Sequence, residues 1–229
     1  MAARSSAVHR PGYRVVGVIT SCVDLDFAAR MRHPPHLFEL RLDQLADNIG
    51  QLEKEISHLR APIIITARHP REGGANKLSL QQRRKLLTRF LPHAQYIDIE
   101  LRSVLALSPL LILAKQRKVP RIISFHNFQA TPAARVLLAK GRAAEAHGAS
   151  IFKIATRTDT ALELGRLLDF IGNPNMRVPV SAMGIGHLGS ISRVLLARAG
   201  SALIYGSLTA RTDIEGQLSV QELHTLGIS

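Results

Sequence analysis

The sequence predicts an α/β protein, a single-domain (β/α)8 barrel, and three observations predict it. Short β-branched runs alternate with longer amphipathic stretches from one end to the other, the pattern of repeated strand–helix units and a parallel sheet. Eight such units follow one another within 229 residues, close to the roughly 250 that one such barrel uses. Apolar residues make up 46% of the chain and aromatics only 4%, so the core has to be filled by Ile, Leu, Val and Ala, the usual filling of an α/β protein.

The strands are expected at 14–19, 37–42, 62–67, 96–101, 119–125, 150–155, 178–182 and 202–206. Helices are expected at 24–31, 46–58, 79–90, 103–117, 132–147, 159–171, 190–199 and 217–226. Some starts carry local signals: Ser79 as an N-cap, Thr131 ahead of Pro132 at a first helical position, and Asp159 opening the sixth helix. Closing the eight units into a barrel leaves no strand edge unpaired. With no linker or low-complexity tract in view, residues 1–229 read as one catalytic domain, with 1–11 as a flexible arm.

Cys22 is the single cysteine, which excludes an intrachain disulfide and a cysteine zinc cluster, and suits a reducing cytoplasm. No apolar run approaches the ~20 residues of a membrane span, and no apolar segment follows the basic residues near the start. The expectation is a soluble, unexported protein with no membrane partner. A formal charge of +13 admits nucleic acid or anionic surfaces. The basic residues are scattered, however, and the short clusters at 81–85 and 115–118 fall within or at the end of expected helices. They read as solvated helix faces, so no nucleic-acid partner is expected.

In a barrel of this kind, function sits where the strands end. The ends and the loops after them carry Glu39, Arg41 and Asp43, then Arg68 and Glu72, Asp98 and Glu100, His126, Lys153, and finally Arg193. A structural core has little use for so many ionisable groups at one mouth. Lys153, in Ser-Ile-Phe-Lys-Ile-Ala, lies on an apolar, buried strand. Burial and neighbouring cations favour a neutral amine, which can attack a ketone; the bland alternative is a lysine that snorkels or pairs with a carboxylate. His126 ends the preceding strand and can both take and return a proton, although a strand-end histidine is often only structural. Alternation puts Glu39, Arg41 and Asp43 on one face, either to hold a polyhydroxylated substrate or as an ion-pair ladder. Arg68 offers a two-pronged donor for an anion or for Glu39, Glu72 can orient a histidine, and Gly73 with Gly74 lets the loop turn tightly.

These residues closely resemble the type I 3-dehydroquinate dehydratases, and the likeness runs in order along nearly the whole chain. Its elements are Glu39-Leu-Arg41-Leu-Asp43, Arg68-His-Pro-Arg-Glu72-Gly73-Gly74, Asp98-Ile-Glu100-Leu, Ser124-Phe-His126-Asn127-Phe, Phe152-Lys153-Ile-Ala, Gly189-Ser-Ile-Ser192-Arg193 and Gly216-Gln217. The resemblance implies a TIM-barrel lyase of the shikimate pathway that converts 3-dehydroquinate to 3-dehydroshikimate with no metal or cofactor, and it carries the expectation of a homodimer. It implies that Lys153 forms an imine with the substrate ketone, that His126 moves the proton, and that Glu72 orients His126. Arg193 would take the substrate carboxylate, while Glu39, Arg41, Arg68 and Gln217 would bind ring hydroxyls or fix one another.

The chain departs from the family pattern in places. The family has a serine four residues before the closing glutamine, where this chain has Asp213, with Glu215 beside it; two acids near an anionic substrate weaken binding unless they point outward. Phe125 stands where the family often has tyrosine, and Ile185, or Met183 across a longer loop, answers to a common methionine.

Three other readings compete. Gly184-Ile-Gly186-His-Leu-Gly189 matches a dinucleotide fingerprint, but Tyr205-Gly206-Ser207 stands where the acidic ribose ligand is expected. A Schiff-base aldolase would share the lysine and the barrel but not the pair of His126 and Arg193. A polyanion-binding protein on a barrel scaffold would bind with strong salt dependence and have no use for Lys153.

Overall fold

Period-two patterning settles what each strand buries. The computed structural model describes residues 12–209 and 214–229; the arm expected at 1–11 and Asp213 lie outside these. The strands are β1 (Arg14–Ile19), β2 (Leu37–Arg41), β3 (Ile63–Thr66), β4 (Tyr96–Glu100), β5 (Arg121–Asn127), β6 (Ile151–Arg157), β7 (Val180–Ile185) and β8 (Leu203–Ser207). The helices are α1 (Cys22–Arg30), α2 (Ile49–Glu55), α3 (Leu80–Phe90), α4 (Ser108–Gln116), α5 (Ala134–Ala146), α6 (Ala161–Ile171), α7 (Gly189–Arg198) and α8 (Val220–Thr225). One set of alternate strand residues, among them Phe38, Leu40, Ile65, Ile97, Ile99, Ile123, Phe152 and Ile154, packs outward with helix residues such as Leu87, Leu137 and Leu167 in the main core. The other set faces the barrel axis, where Val16, Leu37, Ile64, Ile122, Ile151 and Leu203 join an apolar cluster. Two residues further along the same strands come Glu39, Thr66, Ser124 and Lys153, all buried. Apolar side chains therefore plug the barrel below, and a polar layer sits above them at the mouth.

All neighbouring strands are parallel, in the order β7-β6-β5-β4-β3-β2-β1-β8. The expectation that closure would pair every edge needs correction where β7 meets β8. Here one backbone bond, Ala202 N–H to Val180 O (2.8 Å), is supplemented by serine hydroxyls. Ala182 N–H donates to Ser201 Oγ (3.0 Å), and Ser181 Oγ–H donates to Leu203 O (2.9 Å). At the upper end of this seam, Arg193 from α7 donates from Nε to Tyr205 O on β8 (3.2 Å) and from Nη1 to Gly184 O on β7 (3.1 Å). The guanidinium thus bridges β7 and β8 where no register pairing joins them.

Helix starts follow the expected chemistry with four adjustments. Ser79 caps α3 in a full capping box with Gln82, as expected. Thr131 does not cap α5, because its hydroxyl is taken by Thr156 Oγ1 and Arg157 O (both 2.8 Å). Thr160, not Asp159, caps α6, with Glu163 completing the box; Asp159 instead accepts from His187 N–H and Arg157. The helix expected at 217–226 begins only at Val220, behind a Ser219–Glu222 box, which leaves Gln217 on a loop. The helix expected at 103–117 is interrupted, and α4 restarts at Ser108 with proline in its first turn, where no N–H is required.

The seam gives a measurable expectation. Ser201→Ala leaves the buried N–H of Ala182 without its acceptor, and urea unfolding should show a loss of about 1–3 kcal/mol; an unchanged midpoint would mean that the hydroxyl does not hold the seam.

Candidate active site

Lys153 is placed by its neighbours. Its partners in register are Ser124 on β5 and Ser181 on β7, whose small side chains leave room for a long one inside the barrel. The amine is buried, and Nζ donates to Glu39 Oε1 (3.1 Å) and to Asp98 Oδ2 (3.0 Å). It also lies 3.9 Å from the centre of the Tyr205 ring, whose face attracts a cation. Above it opens a cavity of about 340 Å³, lined by Glu39, Arg41, Arg68, Glu72, His126 and Lys153 on one side and by Arg193, Ser207 and Gln217 on the other.

Asp98 links the amine to Arg68. The Arg68 guanidinium meets both carboxylate oxygens of Asp98 at 3.0 Å, and Ser124 Oγ–H donates to the same group (2.6 Å). Burial works against ionisation of Asp98, but Arg68 and Lys153 outweigh it and hold the carboxyl well below the usual range. Of the two partners expected for the Arg68 fork, an anion or Glu39, the carboxylate of Asp98 takes the fork and Glu39 forms a longer ion pair with it. Glu39 lies at 3.7 Å and also accepts from Thr66 Oγ1–H (2.8 Å).

Arg68 also reaches Glu100 (3.2 Å), whose other oxygen accepts from Arg83 Nη2 (2.5 Å) and Ser103 Oγ (2.9 Å). Arg83 was expected on the wet face of its helix. It is 2% exposed and also donates from Nε to Ala67 O (2.7 Å). The spacing of Arg83, Leu87 and Phe90, all buried, is i, i+4, i+7, so the helical period carried the signal that the charge run concealed.

His126 lies inside β5, and Glu72 on the 3-10 turn Pro70–Glu72 that follows β3. One Glu72 oxygen, Oε2, meets both His126 Nδ1 (2.9 Å) and the His126 backbone N–H (3.1 Å), which leaves Nε2 for the cavity. Burial, then the nearby Arg68 and Lys153, push the imidazole well below its ordinary range, so the ring is neutral at pH 7. Burial and the charge of Glu100 push the Glu72 carboxyl up to about 7. Phe128 stacks beside the His126 ring (6.4 Å between centres).

Arg41 serves the loop that carries Glu72. It donates twice to Asp43 (3.1 and 2.9 Å) and once to Gly73 O (3.0 Å). Asp43 in turn accepts from the backbone N–H groups of Arg68 and Ala75. Gly73, at φ 82°, takes a backbone conformation that side chains rarely adopt.

Arg193 forms the opposite wall. It is 2% exposed and donates to the carbonyls of Gly184, Gly189, Tyr205 and Gly216. No carboxylate pairs with it among the described residues, and burial pulls its pKa down to about 10. Glu215 points outward, to Arg157 Nη2 (3.3 Å) at the rim. The glycine run at 184–189 is explained by packing: a side chain at Gly189 would meet Gly216 Cα at 2.9 Å. No group of three or more His, Cys, Asp or Glu residues positioned to hold a metal occurs among the described residues.

The comparisons agree with this geometry. The family described as Type I 3-dehydroquinase matches residues 23–226. The chain belongs to this family. It is 32% identical over 206 residues to the 3-dehydroquinate dehydratase of Shouchella clausii, covering 84% of this chain and 80% of that one. With the enzyme of Pyrococcus abyssi it shares 31% over 194 residues, covering 83% and 85%. A solved structure of 3-dehydroquinate dehydratase from Enterococcus faecalis superposes with a TM-score of 0.79 at 27% identity, covering 94% of this chain and 92% of that one. Of the residues that carry the family resemblance, Glu39, Arg41, Arg68, Glu72, His126, Lys153, Arg193 and Gln217 line the cavity.

Arg83→Met should cost about 3 kcal/mol in urea unfolding, because it strips one of two cationic partners from a buried Glu100. Adding Glu100→Gln should recover part of that loss. Strict additivity of the two changes would show that the pair is not coupled.

Proposed function

We propose that this chain dehydrates 3-dehydroquinate to 3-dehydroshikimate through a Schiff base on Lys153, as a step of the shikimate pathway toward chorismate and the aromatic amino acids. The observation that carries the reading is one buried amine opening into the same cavity as a neutral histidine tethered by Glu72. The Lys153 ammonium passes a proton to the Glu39 carboxylate, and the neutral amine adds to the ketone carbon. One amine proton and the proton held by Glu39 then leave with the former carbonyl oxygen as water, which gives the iminium. The iminium acidifies the neighbouring C–H, and His126 Nε2 takes that proton. The electron pair left behind expels the hydroxyl one carbon further on, and the imidazolium returns its proton to make that group water. Hydrolysis of the imine releases the product and restores the amine.

The remaining assignments follow the walls of the cavity. Arg193 is a buried cation with no carboxylate of its own among the described residues, and it receives the substrate carboxylate. Glu39, Arg41, Arg68 and Gln217 set the shape and hydrogen-bonding of the wall that meets the ring hydroxyls, with Arg41 and Arg68 acting through Asp43 and Asp98. Asp213 stands four residues before Gln217 in the sequence. No helix among the described residues is long and apolar enough to cross a membrane; a cytoplasmic homodimer completes the proposal.

Intact-mass analysis after incubation with 3-dehydroquinate and borohydride should show a reduced adduct on the wild type and none on Lys153→Ala. His126→Ala should still trap the adduct while turnover falls by roughly 10²–10⁴-fold. Absence of both adduct and turnover in the wild type would overturn the reading.

The pH profile separates the two titrating neighbours. Because the His126 pKa is depressed, the ring stays a neutral base as pH falls through 6.5. The acid limb of kcat/KM that survives in Glu72→Gln should therefore lie below 6.5, and any component near pH 7 should vanish with that variant. A limb at or above 6.5 in Glu72→Gln would place the base elsewhere.

A further inference from the structure

Among the described residues, two buried side-chain polar atoms have no hydrogen-bond partner, Tyr205 Oη and Ser207 Oγ. They are two apart on β8, so both side chains face the barrel interior. The Tyr205 ring is already engaged beneath Lys153. Ser207 is not engaged at all through its side chain. It is 8% exposed, its backbone N–H is used by Leu218 O (3.0 Å), and its register partner on β1 is Val18, another cavity-lining residue. A hydroxyl sealed from water and left unpaired costs stability, so one at the wall of a cavity calls for an explanation that a bound ligand supplies.

The surroundings say what kind of ligand. Arg193 ties its Nε to Tyr205 O, two residues before Ser207, and shares the cavity wall with Ser207 and Gln217. Asp24, a carboxylate of the same lining, is occupied by Thr20 and Thr209 hydroxyls (2.6 and 3.2 Å). The corner thus presents a buried cation and a free hydroxyl donor with no competing carboxylate directed at them among the described residues.

We infer that Ser207 is a substrate-binding residue whose hydroxyl donates to the carboxylate held by Arg193. This inference rests on the proposed lyase reading. The serine sits on a strand, locked between β1 and the Leu218 carbonyl, so it is positioned before the substrate arrives and needs no loop movement to be in place.

The test is Ser207→Ala in the full chain. KM for 3-dehydroquinate should rise about tenfold, the worth of one hydrogen bond to a charged group, while kcat stays within about twofold. The melting temperature should hold or rise, because an unpaired buried hydroxyl has been removed. A cyclohexane carboxylate inhibitor should lose affinity to the same extent, while its methyl ester should not. An unchanged KM and inhibitor affinity in a variant that folds would overturn the inference with the lyase intact. A fall in melting temperature with kcat and KM both disturbed would assign Ser207 a structural role instead. Failure of the wild type to turn over 3-dehydroquinate would reject the lyase reading itself, so the two failures are distinct.

Discussion

A primary amine inside a barrel has to be held by something, and the rest of the mouth is arranged around that requirement. Asp98 meets it by serving Lys153 and Arg68 at once. Arg68 then needs a second anion, which Glu100 provides, and Glu100 needs a second cation, which arrives on α3 as Arg83. The chain of opposite charges runs from the barrel axis to the helical layer, with Ser124 and Ser103 filling the remaining acceptor positions. Each buried charge is compensated by the next, which is the condition under which such groups keep their ionisation away from water. One consequence is that a helix apparently remote from the chemistry helps to fix the charge seen by the amine.

The β7–β8 seam solves a different problem with the same economy. Where the strands separate, a guanidinium spans the gap by donating to carbonyls on both. Among the described residues only carbonyls receive it, so no carboxylate there compensates its charge, and burial makes that charge costly. The same side chain therefore closes the barrel and creates a demand for an anion. In the proposed reaction the substrate meets that demand. Binding is then linked to the seam and to the β8–α8 loop through the Gly216 carbonyl, which accepts from the same Nη1.

Much of this was legible in the sequence because strands impose a strict period of two. Once Lys153, His126 and Glu39 were seen at strand ends with apolar residues between them, their convergence followed. Which carboxylate a guanidinium fork closes on is not legible, since its direction depends on elements distant in the chain; the sequence offers Glu39 to Arg68, and the fork closes on Asp98 with Glu39 as an ion-pair partner at 3.7 Å. Arg83 was hidden for another reason. A basic residue among basic residues reads as surface, although its helical spacing with Leu87 and Phe90 marked the buried face. Ser207 and Tyr205 carry no charge pattern, and only the absence of a partner in three dimensions distinguishes them.

Burial acts on the Glu72–His126 pair in a way that suits both halves of the proposed elimination. It raises the carboxyl and lowers the imidazole, so each group is driven toward its neutral form and the resting mouth holds little charge at that position. A depressed histidine is the weaker base for the first proton transfer, but the iminium makes the C–H correspondingly more acidic. The same depression makes the imidazolium a stronger acid for the second transfer, when a hydroxide-like leaving group needs its proton. Arg68, one of the cations that hold the ring neutral at rest, therefore favours returning the proton, and Glu72, fixed to Nδ1, keeps Nε2 on the path in both directions.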